Sequence, residues 1–156
     1  MAEAGVRTFD PKQVSVIWGG YTLTGFADAT FIKVTRIEKK LFESKGGADG
    51  TRERINKNSL AHTVEFMLMQ TAQANGIMSA ATILDQESNV GAPELIIKDG
   101  SGISVFTAGA AWIAEDADME LATTLTPRKW VMETGPALKV LGGNTSLLST
   151  LASVLP

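Results

Sequence analysis

Cysteine is absent from the 156-residue chain, and histidine occurs once, at position 62. A chain without cysteine has no disulfide framework and no thiolate metal site, and a single histidine leaves zinc without its usual ligands. No run approaches 18 apolar residues, and the first residues carry no apolar signal segment. We therefore expect no signal peptide, no membrane span, synthesis in the cytoplasm, and neither a metal nor a cofactor.

The composition that remains is that of an ordinary globular domain, with 44% apolar and 20% charged residues. The net charge of −3 is unevenly spread along the chain. Residues 39–58 carry six Lys or Arg against three Asp or Glu, whereas residues 85–120 carry eight acids against Lys98 alone. Two segments of opposite sign can pair within one molecule or between copies, or they can be two solvated faces without a partner.

Apolar residues alternate with polar ones in most of the chain, which is typical of half-buried β-strands. Residues 13–18 place Val14, Val16 and Trp18 on one face, and residues 60–69 do the same with His62, Val64, Phe66 and Leu68. We predict strands over residues 13–18, 21–24, 30–38, 60–69, 94–98, 103–106, 110–115 and 128–134.

The period changes to that of a helix after residue 70. Apolar residues recur at helical spacing at Ala74, Ile77, Met78, Ala81 and Leu84. Thr71 is a suitable N-cap, and Gly76 weakens the helix by about 1 kcal/mol relative to Ala. We predict a mainly β fold: an antiparallel β-sandwich or barrel of about seven or eight strands with one flanking α-helix, at about 72–87.

The twenty residues "KKLFESKGGADGTRERINKN" (39–58) separate two predicted strands and are far longer than a hairpin turn. A long connection inside a compact domain indicates either a misassigned element or a functional segment. Their three glycines and nine charged residues favour a polar loop.

Residues suited to catalysis are few. His62 lies on an apolar strand face, where a structural role is the more common one. The carboxylates of residues 115–120 lack the spacing and central glycine of a calcium loop. We predict no catalytic or metal-binding residue and no enzyme activity. A carboxylate-pair enzyme such as a glycosidase remains open, as does a monomeric β-sandwich module binding a sugar or peptide. Such a module needs exposed aromatic residues, and we interpret Trp18, Trp112 and Trp130 as core.

Several motifs, in order, resemble the tail tube proteins of contractile-tailed bacteriophages. "TFDPKQVSVIWGGYTLTGFADATFIKVTR" (8–36) resembles the opening of that family. "GADG" (47–50), "EFMLMQT" before a helix (65–84), and "AWI" through "RKW" (111–130) continue the pattern. The resemblance covers roughly residues 8–144. Ala29 replaces the glycine of the family's "GFADG"-like turn, which matters little if φ there is negative.

The resemblance implies a structural virion protein whose fold is similar to the tube protein of type VI secretion systems. Six copies would close a ring, and rings would stack into the inner tube of a contractile tail, the conduit for DNA. The implied partners are further copies of the chain, the tail sheath, the tape measure protein, and the baseplate or terminator proteins. Double-stranded DNA would pass without specific binding. The particle could also be a phage-derived bacteriocin or secretion particle.

The resemblance also assigns roles to the two charged segments. The segment 39–58 would be an assembly arm, disordered or mobile in the isolated subunit and ordered by its neighbour. Its inter-subunit residues would be Lys45, Asp49, Arg52, Glu53, Arg54 and Lys57. A complementary or lumen-lining acidic face would comprise Glu115, Asp116, Asp118 and Glu120.

The tube domain is predicted to extend over residues 1–144. The remaining residues, 145–156, form a C-terminal arm or a short helix. The apolar residues of such a helix, which could lie on one face, are Leu147, Leu148, Leu151, Val154 and Leu155.

Overall fold

The computed structural model describes residues 8–102 and 104–142. The predicted C-terminal arm, 145–156, lies outside these ranges. Within them, none of the helical segments has the length and apolar character needed to cross a membrane. The predicted mainly β fold is confirmed, because eleven strands and one α-helix make up the regular structure of the described residues apart from a short 3₁₀ turn at Pro11–Gln13.

Each strand pairs with its neighbours in antiparallel fashion. The strands are β1 (Val14–Trp18), β2 (Tyr21–Thr22), β3 (Ile32–Arg36), β4 (Phe42–Gly46), β5 (Arg52–Asn56), β6 (His62–Leu68), β7 (Leu95–Asp99), β8 (Val105–Ala108), β9 (Ala111–Glu115), β10 (Arg128–Thr134) and β11 (Ala137–Val140). Helix α1 (Ala74–Ser88) lies between β6 and β7.

The two main sheets have the strand orders β11-β8-β7-β1-β2 and β3-β6-β10-β9, and β4 and β5 form a third sheet of two strands. Neither main sheet closes on itself, so the fold is a sandwich and not a barrel. The predicted count of seven or eight strands is too low, because β4, β5 and β11 were not predicted. Those strands show little apolar alternation, because all ten residues of β4 and β5 are exposed and because β11, with four residues, is too short to show a period.

The core lies between the inner faces of the two sheets, where the alternation places it. Val16 and Trp18 are buried on β1, and the four residues at alternate positions of β6 from His62 to Leu68 are all buried. Trp130 and Met132 extend the same layer on β10. Trp112, however, is only half-buried, so the interpretation of all three tryptophans as core is wrong for one of them.

Helix α1 covers one end of the core with its first turns. Ala74 and Met78 are buried, whereas Leu84 is 59% exposed. The predicted N-cap, Thr71, is wrong, because the helix begins three residues later, at Ala74. The Asn75 side chain fixes this start: its amide donates to the carbonyl oxygen of Met69 at 2.8 Å, and its oxygen accepts from Trp130 Nε1 at 2.9 Å.

Ala29 adopts φ of +66°, not the negative value that would make it harmless. A left-handed backbone conformation costs a residue that has a Cβ about 1–2 kcal/mol. A change to glycine removes this cost, but part of the gain is lost because glycine makes the unfolded chain more flexible. We predict that Ala29→Gly stabilises the protein by about 1 kcal/mol in denaturant unfolding. Ala80→Gly, at an exposed helical position, is the control and should destabilise by a similar amount. A loss of stability in Ala29→Gly would contradict the prediction.

His62 has the structural environment expected of it. Its ring is fully buried, Nδ1 lies 2.8 Å from the Leu60 carbonyl oxygen, and the ring edge meets Phe106 at a centroid distance of 5.3 Å. A carbonyl oxygen only accepts, so Nδ1 carries the proton and buried Nε2 has no hydrogen-bond partner. Burial lowers the pKa of His62, and the positive charges of Lys139 and Arg36 lower it further, against the Leu60 hydrogen bond.

This lowered pKa predicts a pH-dependent stability. The neutral ring is favoured in the folded state, so its contribution is complete above the unfolded pKa of about 6.5 and is lost as the pH falls towards the folded pKa. We expect the melting temperature to fall between pH 7.5 and pH 5, and to fall less in His62→Asn, which does not titrate. If the melting temperature falls equally with pH in the two proteins, His62 contributes nothing to the pH dependence.

Candidate functional site

The segment 39–58 is an ordered β-hairpin, so the prediction of an unstructured loop is wrong. Strands β4 and β5 pair over five residues each, and Lys57 N donates to the Leu41 carbonyl oxygen at 3.0 Å at the base. Every residue of both strands is exposed. A strand that is solvated on both faces needs no apolar alternation, and for that reason its period was not visible in the sequence.

The turn of the hairpin has a signal that the sequence did contain, the Asp49-Gly50 pair. Gly50 N donates to the Gly47 carbonyl oxygen at 3.2 Å, and Gly50 adopts φ of +87°. The Asp49 carboxylate accepts from Thr51 Oγ1 at 2.7 Å and from Thr51 N at 3.1 Å. These hydrogen bonds lower the pKa of Asp49, and they tie its side chain to the turn of its own hairpin.

The register of the hairpin sorts its charges onto two faces. Phe42, Ser44, Arg52 and Arg54 share one face, which we call the basic face. The Arg54 guanidinium lies 4.3 Å from the centre of the Phe42 ring, and Arg52 Nη2 donates to Ser44 Oγ at 2.8 Å. Both contacts hold the guanidinium groups in place without neutralising them.

The opposite face of the hairpin is balanced. Lys45 lies directly across from Glu53, and Lys57 Nζ is 3.5 Å from Glu43 Oε2. Of the ion pairs within residues 8–102 and 104–142, none includes Arg52 or Arg54. Asp49 and Lys57 thus have partners in their own hairpin, and the register sets the opposite charges of Lys45 and Glu53 across from each other, whereas Arg52 and Arg54 have no carboxylate across from them.

The four predicted acidic residues come together around one cleft of about 380 Å³ on the solvent face of the β6-β10-β9 sheet. We call it the acidic cleft; its lining residues are Glu65, Glu115, Asp116, Asp118, Glu120, Pro127, Lys129 and Val131. Glu65 was not predicted. The sequence did contain a signal for Glu65, because it falls between the buried positions of β6 and so faces away from the core.

Two features of the backbone shape the acidic cleft. A register shift between Val131 and Met132 sets Glu115 opposite Val131 at the end of β9. Beyond it, Arg128 Nη1 donates to the carbonyl oxygens of Asp118 at 3.2 Å and Glu120 at 3.0 Å. These bonds hold the loop after β9 over the sheet while its carboxylates face solvent.

The charge of the acidic cleft is largely uncompensated. Lys129 Nζ is 3.5 Å from Glu65 Oε1, and the four remaining carboxylates have no ion-pair partner among the residues that the structure describes. Exposed apolar side chains lie on the same loop, with Met119 87% and Leu121 77% exposed. Over the two described ranges, no group of three or more acidic or histidine side chains is placed to hold a metal ion.

Comparisons with known proteins show similarity in sequence to a phage protein and similarity in fold to a solved structure. No family model matches the chain. The chain is 30% identical over 157 aligned positions to structural protein ORF10 of Pseudomonas phage KPP10, covering 95% of this chain and 90% of that protein. Its fold is similar to the tube-terminating cap of the anti-feeding prophage, with a TM-score of 0.60 and 9% identity over 90% of this chain and 95% of the cap.

Proposed function

This chain belongs to the same family as that phage structural protein, and from this premise we propose that it is a ring-forming subunit of a phage tail tube. Six copies close a ring, rings stack, and the hollow stack conducts DNA inside a contractile sheath. The role is structural, without catalysis or cofactor. The partners in this proposal are further copies, the sheath, the tape measure protein and the baseplate or terminator proteins.

The observation that carries the proposal is the presence of two complementary surfaces on one chain. The basic face of the hairpin presents Arg52 and Arg54, the acidic cleft presents four carboxylates, and none of these six groups is in an ion pair within the described part of the chain. A contact between two different surfaces of identical subunits is heterologous, and it produces closed rings or continuing stacks. We propose that the basic face of one subunit docks in the acidic cleft of the next.

Ion pairs alone do not hold such an interface together, since exposed pairs contribute at most about 1 kcal/mol each. They orient the partners and speed their encounter. Phe42 is 41% exposed beside the arginines, and the apolar side chains of Met119 and Leu121 lie beside the cleft. Burial of these side chains would supply affinity, while the charges select the register.

We predict six-fold rings or stacked tubes in concentrated purified protein. The test is sedimentation velocity at rising protein concentration, followed by negative-stain microscopy of the fastest species. Assembly should be strongest at low salt, where the attraction between the basic face and the acidic cleft is least screened. A protein that stays monomeric at millimolar concentration, without rings on the grid, would overturn the proposal.

The likeness in fold to a tube-terminating cap favours a second candidate function, that of a terminator. Microscopy separates the two: a tube subunit forms stacks of growing length, whereas a terminator stops at one ring.

We further predict a bore that is neutral to negative, since a basic bore would bind the phosphate backbone and retard DNA. The same ring would serve a phage-derived bacteriocin or secretion particle, which carries no DNA.

A further inference from the structure

A second surface, distinct from the charged ones, lies between helix α1 and the turn after β1. It is a groove of about 610 Å³, which we call the helix groove, and it is lined among others by Trp18, Tyr21, Ile77, Leu84 and Val90. None of the described residues that line it is charged. Ligand and peptide sites have volumes of this size.

The helix groove is the uncovered half of the apolar stripe of α1. The stripe begins buried at Ala74 and Met78, but at its other end Leu84 is 59% exposed and, across the groove, Val90 is 74% exposed. Contiguous exposed apolar surface of this kind marks an interaction site. Nothing in the described part of the chain covers it.

Gly76 points to close contact with another chain. Glycine weakens the interior of a helix relative to alanine, and close packing against a neighbour is one reason for a helix to contain it. Here a Cβ on Gly76 would meet no atom within 4 Å, so the described residues supply no such reason. Gly76 lines the helix groove, and the missing side chain leaves its floor open.

The chain itself contains an uncharged, leucine-rich segment that matches this groove. Residues 143–156, "GNTSLLSTLASVLP", have no charged side chain and five leucine or valine residues. We propose that this C-terminal segment docks in the helix groove of a neighbouring copy. The inference rests on the proposed assembly of identical subunits and adds a second, apolar contact to it.

The topology favours a neighbouring copy over the same copy. Val140 pairs with Val105 at the end of the sandwich where β1 begins, and there Gly142 N donates a hydrogen bond to Ser104 Oγ at 3.2 Å. The helix groove opens at the opposite end, where β1 finishes at Trp18. Head-to-tail stacking brings the C-terminal end of one copy to the groove end of the next.

Photo-crosslinking within assembled protein tests both the site and the partner. A benzophenone amino acid replaces Leu84, and equal amounts of isotopically light and heavy chains are mixed before assembly. We expect crosslinks between Leu84 and residues 143–156 that join light to heavy chains. The matched control is benzophenone at Ile83, which is also exposed but does not line the groove. Crosslinks within one isotope only, to another segment, or none at all would overturn the inference.

Truncation separates this inference from the proposed function. Removal of residues 143–156, or Leu84→Glu, should raise the protein concentration needed for assembly at least tenfold, while Ile83→Glu should not. Gly76→Ala should raise the melting temperature of the subunit yet impair assembly, because its methyl group fills the groove floor. If wild-type protein assembles and the truncated chain assembles equally well, the docking is wrong and the tube stands. If wild-type protein never assembles, the proposed function itself fails.

Discussion

Subunits whose hairpin is replaced by a two-residue turn should fold normally and fail to assemble. The replacement is Asn-Gly in place of residues 42–56, so that these two residues link Leu41 to Lys57. Lys57 N already donates to the Leu41 carbonyl oxygen at 3.0 Å, which is the hydrogen bond that closes a two-residue turn. The hairpin forms a sheet of its own, so its removal breaks no strand pairing of the core.

The expected readouts are an unchanged circular dichroism spectrum apart from the lost hairpin, and a single monomeric species in sedimentation. Loop-closure entropy changes by only about 0.6 kcal/mol per doubling of length, so the shorter connection should not destabilise the fold. We expect no rings at concentrations roughly a hundredfold above the wild-type threshold, which corresponds to a loss of about 2.8 kcal/mol of contact energy. Normal polymerisation of the shortened chain would show that the hairpin is only a solvated projection.

Reversal of the two unpaired arginines should weaken assembly, and reversal of the acidic cleft should restore it. Arg52→Glu with Arg54→Glu makes the basic face negative, so it repels the carboxylates that it would otherwise meet. We expect the assembly threshold to rise roughly tenfold, or about 1.4 kcal/mol, and more at low salt. Adding Asp116→Lys and Asp118→Lys to the same chain should return the threshold towards the wild-type value.

A charge-preserving swap on the balanced face is the matched control. Lys45→Glu with Glu53→Lys exchanges two residues that lie directly opposite each other, so it alters neither the net charge nor the basic face. Assembly of this variant should be that of the wild type. If the variant that carries both the arginine and the aspartate reversals assembles as poorly as the variant with the arginine reversals alone, the acidic cleft is not the partner of the basic face.

Strands that bury one face were predictable because water is present on only one side of them. The alternation on β1, β6 and β10 reports that asymmetry directly, and all three strands lie within a few residues of their predicted bounds. The remaining differences are in strand length, as in β3, which covers only Ile32–Arg36 of the predicted 30–38. End residues are set by which backbone groups find partners, and the residue pattern does not report this.

The charged candidate residues were identified correctly as residues but not as an arrangement. Six hairpin residues looked equivalent in the sequence, yet the register sets Lys45 opposite Glu53 and leaves Arg52 and Arg54 with no carboxylate across from them. The acidic residues after β9 were predicted only as an acidic face. They become a cleft because a register shift in β10 and the hydrogen bonds of Arg128 fold their loop over a sheet that also carries Glu65.

By itself the sequence determined the fold class, the core faces, the one helix and the absence of thiol chemistry, because these depend on residue type and on short-range period. Tertiary structure alone decided that residues 39–58 are an ordered hairpin, that its two arginines face one way, and that five carboxylates from β6, β9 and the following loop share a cleft. Such arrangements depend on pairing register and on contacts between residues far apart in the chain, and no local pattern specifies them.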